Sequence, residues 1–317
     1  MKKISVITGT YNEEAIVRDV YAAIKKVFTE SVKDYDYEHI FMDNCSTDST
    51  VTILKEIARQ DKRVKILVYS KNFGPIKSEI IGYSHASGDA VVVFDANLKD
   101  PAELIPEFIK HWENNYEVVY GIRTKTADNF LLSFLRRLYY KLINIFSGEK
   151  LPQNAGSFRL VDRKVVNELI KLDDFKPYTR GLITSIGFKQ IGIEYQRRPR
   201  PKGASKSNLS YLIDFAINAL ISYSILPIRL CTYIGLGLAV FSFIAAFVYV
   251  ILKLFLWPAQ IPAVAGVIFL FLIFSGIQLF FLGVIGEYVG AIHAQVRKKP
   301  FVVIAEKINF NSSNAQP

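Results

Sequence analysis

No charged side chain occurs between Leu230 and Leu252, and none between Leu254 and Gly286. Two such runs, almost adjacent, constrain the fold more than any other feature of the chain. A helix of about 23 residues rises roughly 35 Å, enough to cross a hydrocarbon core of about 30 Å. Two membrane spans are expected, near Tyr233–Phe255 and Ala263–Ile285. The link Leu256-Trp257-Pro258-Ala259-Gln260-Ile261-Pro262 reads as a short turn with an interfacial tryptophan. The competing reading is a pair of buried core helices, which rarely reach this length. Arg229 precedes the first run, Arg297-Lys298-Lys299 follows the second, and the turn is uncharged. The positive-inside rule then places the first 229 residues and the tail in the cytoplasm, with the protein multi-pass in the inner membrane.

Lys2-Lys3 leads into a strand pattern, so no amino-terminal signal peptide is expected. The net charge of +10 suits an anionic membrane face, where each nearby basic residue is worth about 1 kcal/mol. Nucleic acid is the rival partner for a basic chain, but nothing resembles a base-reading module, and none is expected to bind. Cys45 and Cys231 suggest no disulfide framework, in keeping with a reducing compartment.

Before the apolar runs the chain alternates short β-branched segments with helical spacing. Strands are expected at Ile4–Thr8, Glu38–Met42, Val64–Tyr69, Ala90–Phe94 and Val118–Gly121, with helices at Ala15–Phe28, Ser49–Arg59 and Pro75–Ser87. Such alternation implies βαβ units and a mostly parallel sheet. A polar cluster follows each of the first four strands, which lines the clusters along the carboxyl edge, where α/β sheets bind ligands. The fourth is Asp95-Ala96-Asn97-Leu98-Lys99-Asp100-Pro101. A carboxylate there either holds a divalent cation against a phosphate or orients a sugar hydroxyl. The plain alternative is an Asx turn entering a helix opened by Pro101.

Farther on, Phe130 to Phe146 mixes apolar residues with Arg136, Arg137 and Lys141, as an interfacial amphipathic helix or an ordinary packed one would. Arg197 to Lys206 is a basic run placed to grip lipid head groups or a phosphate, or simply a solvated face. Leu209 to Pro227 is expected along the interface.

In order and spacing, these residues resemble the glycosyltransferase family 2 enzymes that load a sugar onto a polyisoprenyl phosphate, such as bactoprenol glucosyltransferases and dolichol-phosphate mannosyltransferases. The resemblance rests on Tyr11-Asn12-Glu13, Asp43 with Ser46-Thr47-Asp48, Asn72-Phe73-Gly74, and Asp95 through Pro101 with Glu103. It continues with Gly121, Arg123, Gly156, Phe158-Arg159-Leu160, Arg163, Arg180-Gly181, Arg200, Gly203, Ser205, Lys206 and Gly286-Glu287-Tyr288. It implies a GT-A-type nucleotide-sugar-binding α/β domain with a mostly parallel sheet over 1–206, an interfacial helix over 207–229, a two-helix transmembrane hairpin over 230–288 and a cytoplasmic tail over 289–317. The implied reaction is inverting sugar transfer from a nucleotide-sugar donor to a polyprenyl phosphate, undecaprenyl phosphate above all. The implied partners also include the lipid bilayer and further copies of the chain in a homo-tetramer.

The same resemblance places Thr10, Tyr11, Glu13, Asp43, Asn72, Asp95, Asn97 and Lys99 around the nucleotide sugar. It makes Asp95, Ser157 and Arg159 the catalytic set, and assigns the lipid phosphate to Arg123, Arg200, Ser205 and Lys206. A buried ion pair with Asp162 or a neighbour is the structural alternative for Arg159. Mg2+ or Mn2+ is implied at Asp95 and Asn97. Two positions depart from the family pattern. Asn97 and Lys99 stand where the pattern has metal-binding Asp and Gln, which weakens any cation site. Ser157 stands where bactoprenol glucosyltransferases carry an Asp. These departures leave a second reading, a degenerate member that binds lipid phosphate or nucleotide sugar without turnover. A processive polysaccharide synthase fits less well, with only two spans and no Gln-x-x-Arg-Trp motif.

Overall fold

The computed structural model describes residues 1–124, 155–172, 174, 177, 179–198, 226–255, 263–297 and 300–310. Among the described residues eight strands make one sheet: β1 (Lys3–Thr10), β2 (Asp36–Asp43), β3 (Val64–Tyr69), β4 (Ala90–Val93), β5 (Val118–Arg123), β6 (Ala155–Asp162), β7 (Gln190–Tyr195) and β8 (Ile304–Ile308). Their order is β7-β5-β6-β4-β1-β2-β3-β8. Only β6 and β8 run against the rest, so the expected mostly parallel sheet is observed. Since β6 is reversed, its first residues lie at the same edge as the last residues of β1 to β5 and β7.

Helices α1 (Val17–Glu30), α2 (Thr50–Gln60) and α4 (Ile105–Glu113) cover one face, and α3 (Pro75–His85), α5 (Arg163–Leu169) and α6 (Thr179–Ser185) the other. Strand alternation divides the core between them. Val6, Val92, Phe158 and Leu160 face the first layer, while Ile7, Val91, Val93 and Val161 face the second. Pro101 introduces a short 3-10 turn, Ala102–Leu104, which runs into α4.

The segment expected as a tail does more than trail. After α7 (Leu226–Phe255) and α8 (Ala263–Val296) the chain returns as β8 and covers the open edge of β3. Lys55 pairs with Glu306 at 2.7 Å, and the Asn309 amide donates to the carbonyls of Ala58 and Val64, each at 2.8 Å. The middle of β8, Ala305-Glu306-Lys307, is exposed, so its pattern lacks the apolar alternation that marks a strand. Asn309→Ala leaves two carbonyls short of a donor and is expected to cost about 1–2 kcal/mol, read by thermal melting.

Both expected spans fall within helices, and the second helix runs on past Ile285 to Val296. Among the described residues one segment, Phe274–Val296, is long and apolar enough to cross a membrane. Tyr233, Phe241, Phe247, Phe271, Leu279 and Phe280 are exposed on these two helices. The expected helix over 130–146, most of the interfacial stretch over 207–229, and Arg200, Ser205 and Lys206 lie outside the described residues.

Candidate active site

Three loops meet at the carboxyl edge, each holding a non-glycine residue at positive φ: Asn12 at 52°, Cys45 at 60° and Leu98 at 48°. Backbone strain of this kind persists where surrounding contacts enforce it. For the first two loops these contacts are hydrogen bonds between them. Asp43 is fully buried and accepts from Thr10 Oγ1 (3.1 Å) and from the amide (2.8 Å) and hydroxyl of Ser46. The Asn12 amide donates to Ser46 Oγ at 2.8 Å, and Asn12 Oδ1 accepts from the Thr47 amide at 2.8 Å. The Glu13 amide donates to Thr50 Oγ1 at 2.8 Å. Tyr11 and Glu13 are half-buried on this rim. Asn72 is exposed and its Oδ1 accepts from the Gly74 amide at 2.9 Å, shaping the turn into α3. Gly74 sits at φ 88°, which a side chain would strain.

Asp95 lies at the centre. Its Oδ1 accepts from Ser157 Oγ at 3.0 Å, and its Oδ2 faces Asn97 Nδ2 at 3.4 Å. Asn97 Oδ1 accepts from the Lys99 amide at 2.9 Å, so the expected Asx turn forms and fixes which way the amide points. Burial pushes the Asp95 carboxyl up, nearby Asp100 adds to this, and Ser157, Arg123 and Arg197 pull it back. Ser157 and Arg159 alternate on β6 toward the α3–α6 layer. Arg159 is buried and donates to the carbonyls of Gly156 (3.0 Å) and Ser157 (3.2 Å). The ion pair considered between Arg159 and Asp162 does not form. Asp162 instead accepts from Trp112 Nε1 at 2.6 Å and caps α5 through the Lys164 amide.

Beside this lies a cluster that spacing along the chain did not reveal. Asp100 is buried, accepts from the Tyr195 hydroxyl, and pairs with Arg197 at 3.2 Å and Arg123 at 3.9 Å. Arg123 also donates to Tyr195 at 3.4 Å. A Cβ at Gly156 would lie 2.5 Å from an Arg123 terminal nitrogen, so glycine makes room for the guanidinium. Burial, then Asp100, pushes the Tyr195 hydroxyl up to about 12. A second missed residue is Glu79 on α3, a buried carboxylate that Arg159 influences electrostatically. A charged residue on a helix usually marks its solvated face, which is why spacing did not single it out.

The implied cation meets an incomplete donor set. Asn97 turns its NH2, not its carbonyl oxygen, toward Asp95. Among the described residues no three His, Cys, Asp or Glu side chains converge as a metal site. Asp95 and Asn97 as placed do not fit a cation held by the protein alone.

The carboxyl edge of this sheet thus gathers buried carboxylates, three arginines and strained polar loops, the arrangement of an α/β ligand-binding domain. Residues 5–170 match the model of glycosyl transferase family 2. An uncharacterised glycosyltransferase of Bacillus subtilis (strain 168) is 36% identical, over 97% of this chain and 95% of the relative. Bactoprenol glucosyl transferase of Shigella phage SfII is 32% identical, over 98% and 99%. Among solved structures, glucosyl-3-phosphoglycerate synthase from Mycobacterium tuberculosis with Mn2+, uridine diphosphate and phosphoglyceric acid aligns over 69% of this chain and 78% of its own. That alignment has 17% identity and a TM-score of 0.46. The chain belongs to glycosyl transferase family 2, and it is a glycosyltransferase.

Proposed function

We propose that the protein transfers a sugar, with inversion, from a nucleotide-sugar donor to a polyprenyl phosphate at the inner face of a membrane. The observation that carries this is the joining, in one chain, of the Asp95–Ser157–Arg159 edge to two long helices with exposed apolar side chains. The full-length likeness to a bactoprenol glucosyl transferase supports the acceptor class. In this reading α7 and α8 form a transmembrane hairpin, and 1–206 forms the cytoplasmic catalytic domain.

Thr10, Tyr11, Glu13, Asp43 and Asn72 frame the nucleotide. Asp95 faces the sugar, and Arg159 faces the donor phosphates. Arg123, held against Asp100 and Tyr195, is a fixed positive charge for the acceptor, completed by Arg200, Ser205 and Lys206. An acceptor phosphate oxygen attacks the anomeric carbon. The bond from that carbon to the donor diphosphate breaks, and the nucleoside diphosphate leaves with the electron pair. A phosphate monoester has its second pKa near about 6, so the acceptor arrives without a proton to lose. That removes the need for a base at Ser157, whose hydroxyl instead holds Asp95. Arginines placed before reaction offset the leaving charge.

The protein-held cation site being incomplete, chelator is expected to lower the initial rate less than about tenfold. Asn97→Asp, which adds a second carboxylate, is expected to lower the Mn2+ concentration for half-effect by about tenfold or more. Titration of activity with Mn2+ after EDTA treatment measures both. The function itself is tested in detergent with labelled nucleotide sugars and either undecaprenyl phosphate or undecaprenol. Organic-extractable label with the phosphate alone is expected. Label transferred to neither lipid by any donor points to a binding protein instead.

A further inference from the structure

Strand alternation puts Arg159 on the same side of the sheet as α3 and α6. Glu79 projects into that layer from α3 and is 9% exposed. Its Oε2 accepts from Thr179 Oγ1 on α6 at 3.3 Å, while its Oε1 is buried with no hydrogen-bond donor among the described residues. The Tyr83 hydroxyl, one turn farther along α3, is buried as well, and burial together with the nearby Glu79 carboxylate pushes it up. Arg159 is 4% exposed, and among the described residues its hydrogen bonds go to backbone carbonyls and no carboxylate lies within ion-pair distance. Two opposite charges are thus buried in one layer, each incompletely paired, although buried charges are ordinarily compensated. The charged groups acting on Glu79 are Arg159 from β6, Asp95 from the loop after β4, and Arg180 from α6. Burial pushes the Glu79 carboxyl up, Arg159 opposes this, and Asp95 adds to it.

We propose that Glu79 is a positioning residue, a buried counter-charge in the same layer as Arg159 that moderates the pull of the guanidinium on the donor diphosphate. The proposal rests on the reading that Arg159 faces the donor phosphates. In the empty site Glu79 balances Arg159. When a diphosphate enters, the two anions share one guanidinium, which weakens the grip on the leaving product. The bond from Thr179 ties the carboxylate to α6.

The test uses the full-length protein in detergent with inorganic pyrophosphate as probe, so that no choice of base enters. Glu79→Gln keeps shape and the acceptor for Thr179 but removes the charge. It is expected to tighten pyrophosphate binding on the order of tenfold, the scale of one coupled charge. Unchanged or weaker binding in a folded Glu79→Gln protein overturns the proposal, since a merely structural glutamate would shift only the melting temperature. A second measurement compares melting temperatures of Glu79→Gln, Arg159→Gln and the double variant. Shifts that fail to add support the pairing, and additive shifts overturn it. Non-additive shifts in a wild-type protein that binds neither pyrophosphate nor any nucleotide would refute the donor-site reading and leave the pairing standing. Pyrophosphate binding with additive shifts would refute the pairing and leave the donor site standing.

Discussion

Asp95→Asn is expected to lower kcat by about 100- to 1000-fold while leaving the protein folded and as thermally stable as the wild type, or more so. The two halves of that result have one cause. The carboxyl is pushed up by burial and by Asp100, so its charge opposes folding and is held there by Ser157, Arg123 and Arg197. An amide of the same shape removes the opposed charge and with it the carboxylate proposed to face the sugar. A site that stores such a cost gives up stability for activity. Ser157→Ala removes only the hydrogen bond that orients Asp95, and it should lower kcat by about tenfold. Initial rates of lipid glycosylation and melting curves in detergent measure both variants. A large loss of stability in Asp95→Asn would show a structural carboxylate instead.

Glu38→Gln is expected to produce the largest loss of stability, about 3 kcal/mol or more, far from the chemistry. Glu38 is buried on β2. Its Oε1 accepts from Ser5 Oγ at 2.6 Å, the Ser87 amide at 2.7 Å and Ser87 Oγ at 2.9 Å, and its Oε2 pairs with Lys65 at 2.6 Å. Burial pushes this carboxyl up, but Lys65, Ser5 and Ser87 more than reverse the effect and hold it at about 2. A carboxyl held lower in the folded protein than in the unfolded chain contributes stability at neutral pH and loses it in acid. The contribution is complete above about pH 4.5, the ordinary glutamate value, and disappears as the pH falls toward 2. Asp61, held at about 2 by its bond to Arg63 against the cost of burial, acts in the same window. Asp95 and Glu79 are pushed up and act in the opposite sense. Urea titrations of the wild type and Glu38→Gln at pH 3 and pH 7 check the claim. The difference between them is expected to shrink at the lower pH.

Helices α1 and α2 were legible because each buries an apolar face at helical period, α3 through the proline that opens it, and the first five strands because each is a short run rich in β-branched or aromatic residues. Asp43 and Asp95 were legible because parallel strands deliver their polar ends to one edge. What stayed hidden was hidden for physical reasons. Asp100 meets Tyr195 and Arg197 only after β5, β6 and β7 join the sheet. Glu79 occupies a helix whose buried face, Ser78, Glu79, Gly82 and Tyr83, is mostly polar or small, so no apolar stripe marked it. Gly82 is part of that close approach, since a Cβ there would lie 2.3 Å from the Met42 sulfur. β8 is short and largely exposed, and its place depends on a β3 edge far away in sequence.

The central claim is direct attack by the acceptor phosphate at a site with one carboxylate facing the sugar. NMR of the lipid-linked product, made by purified protein from a donor of known anomeric configuration, tests it most directly. The account predicts a sugar phosphodiester of opposite configuration to the donor. Retained configuration, which requires a covalent sugar–enzyme intermediate or an equivalent second displacement, would contradict it.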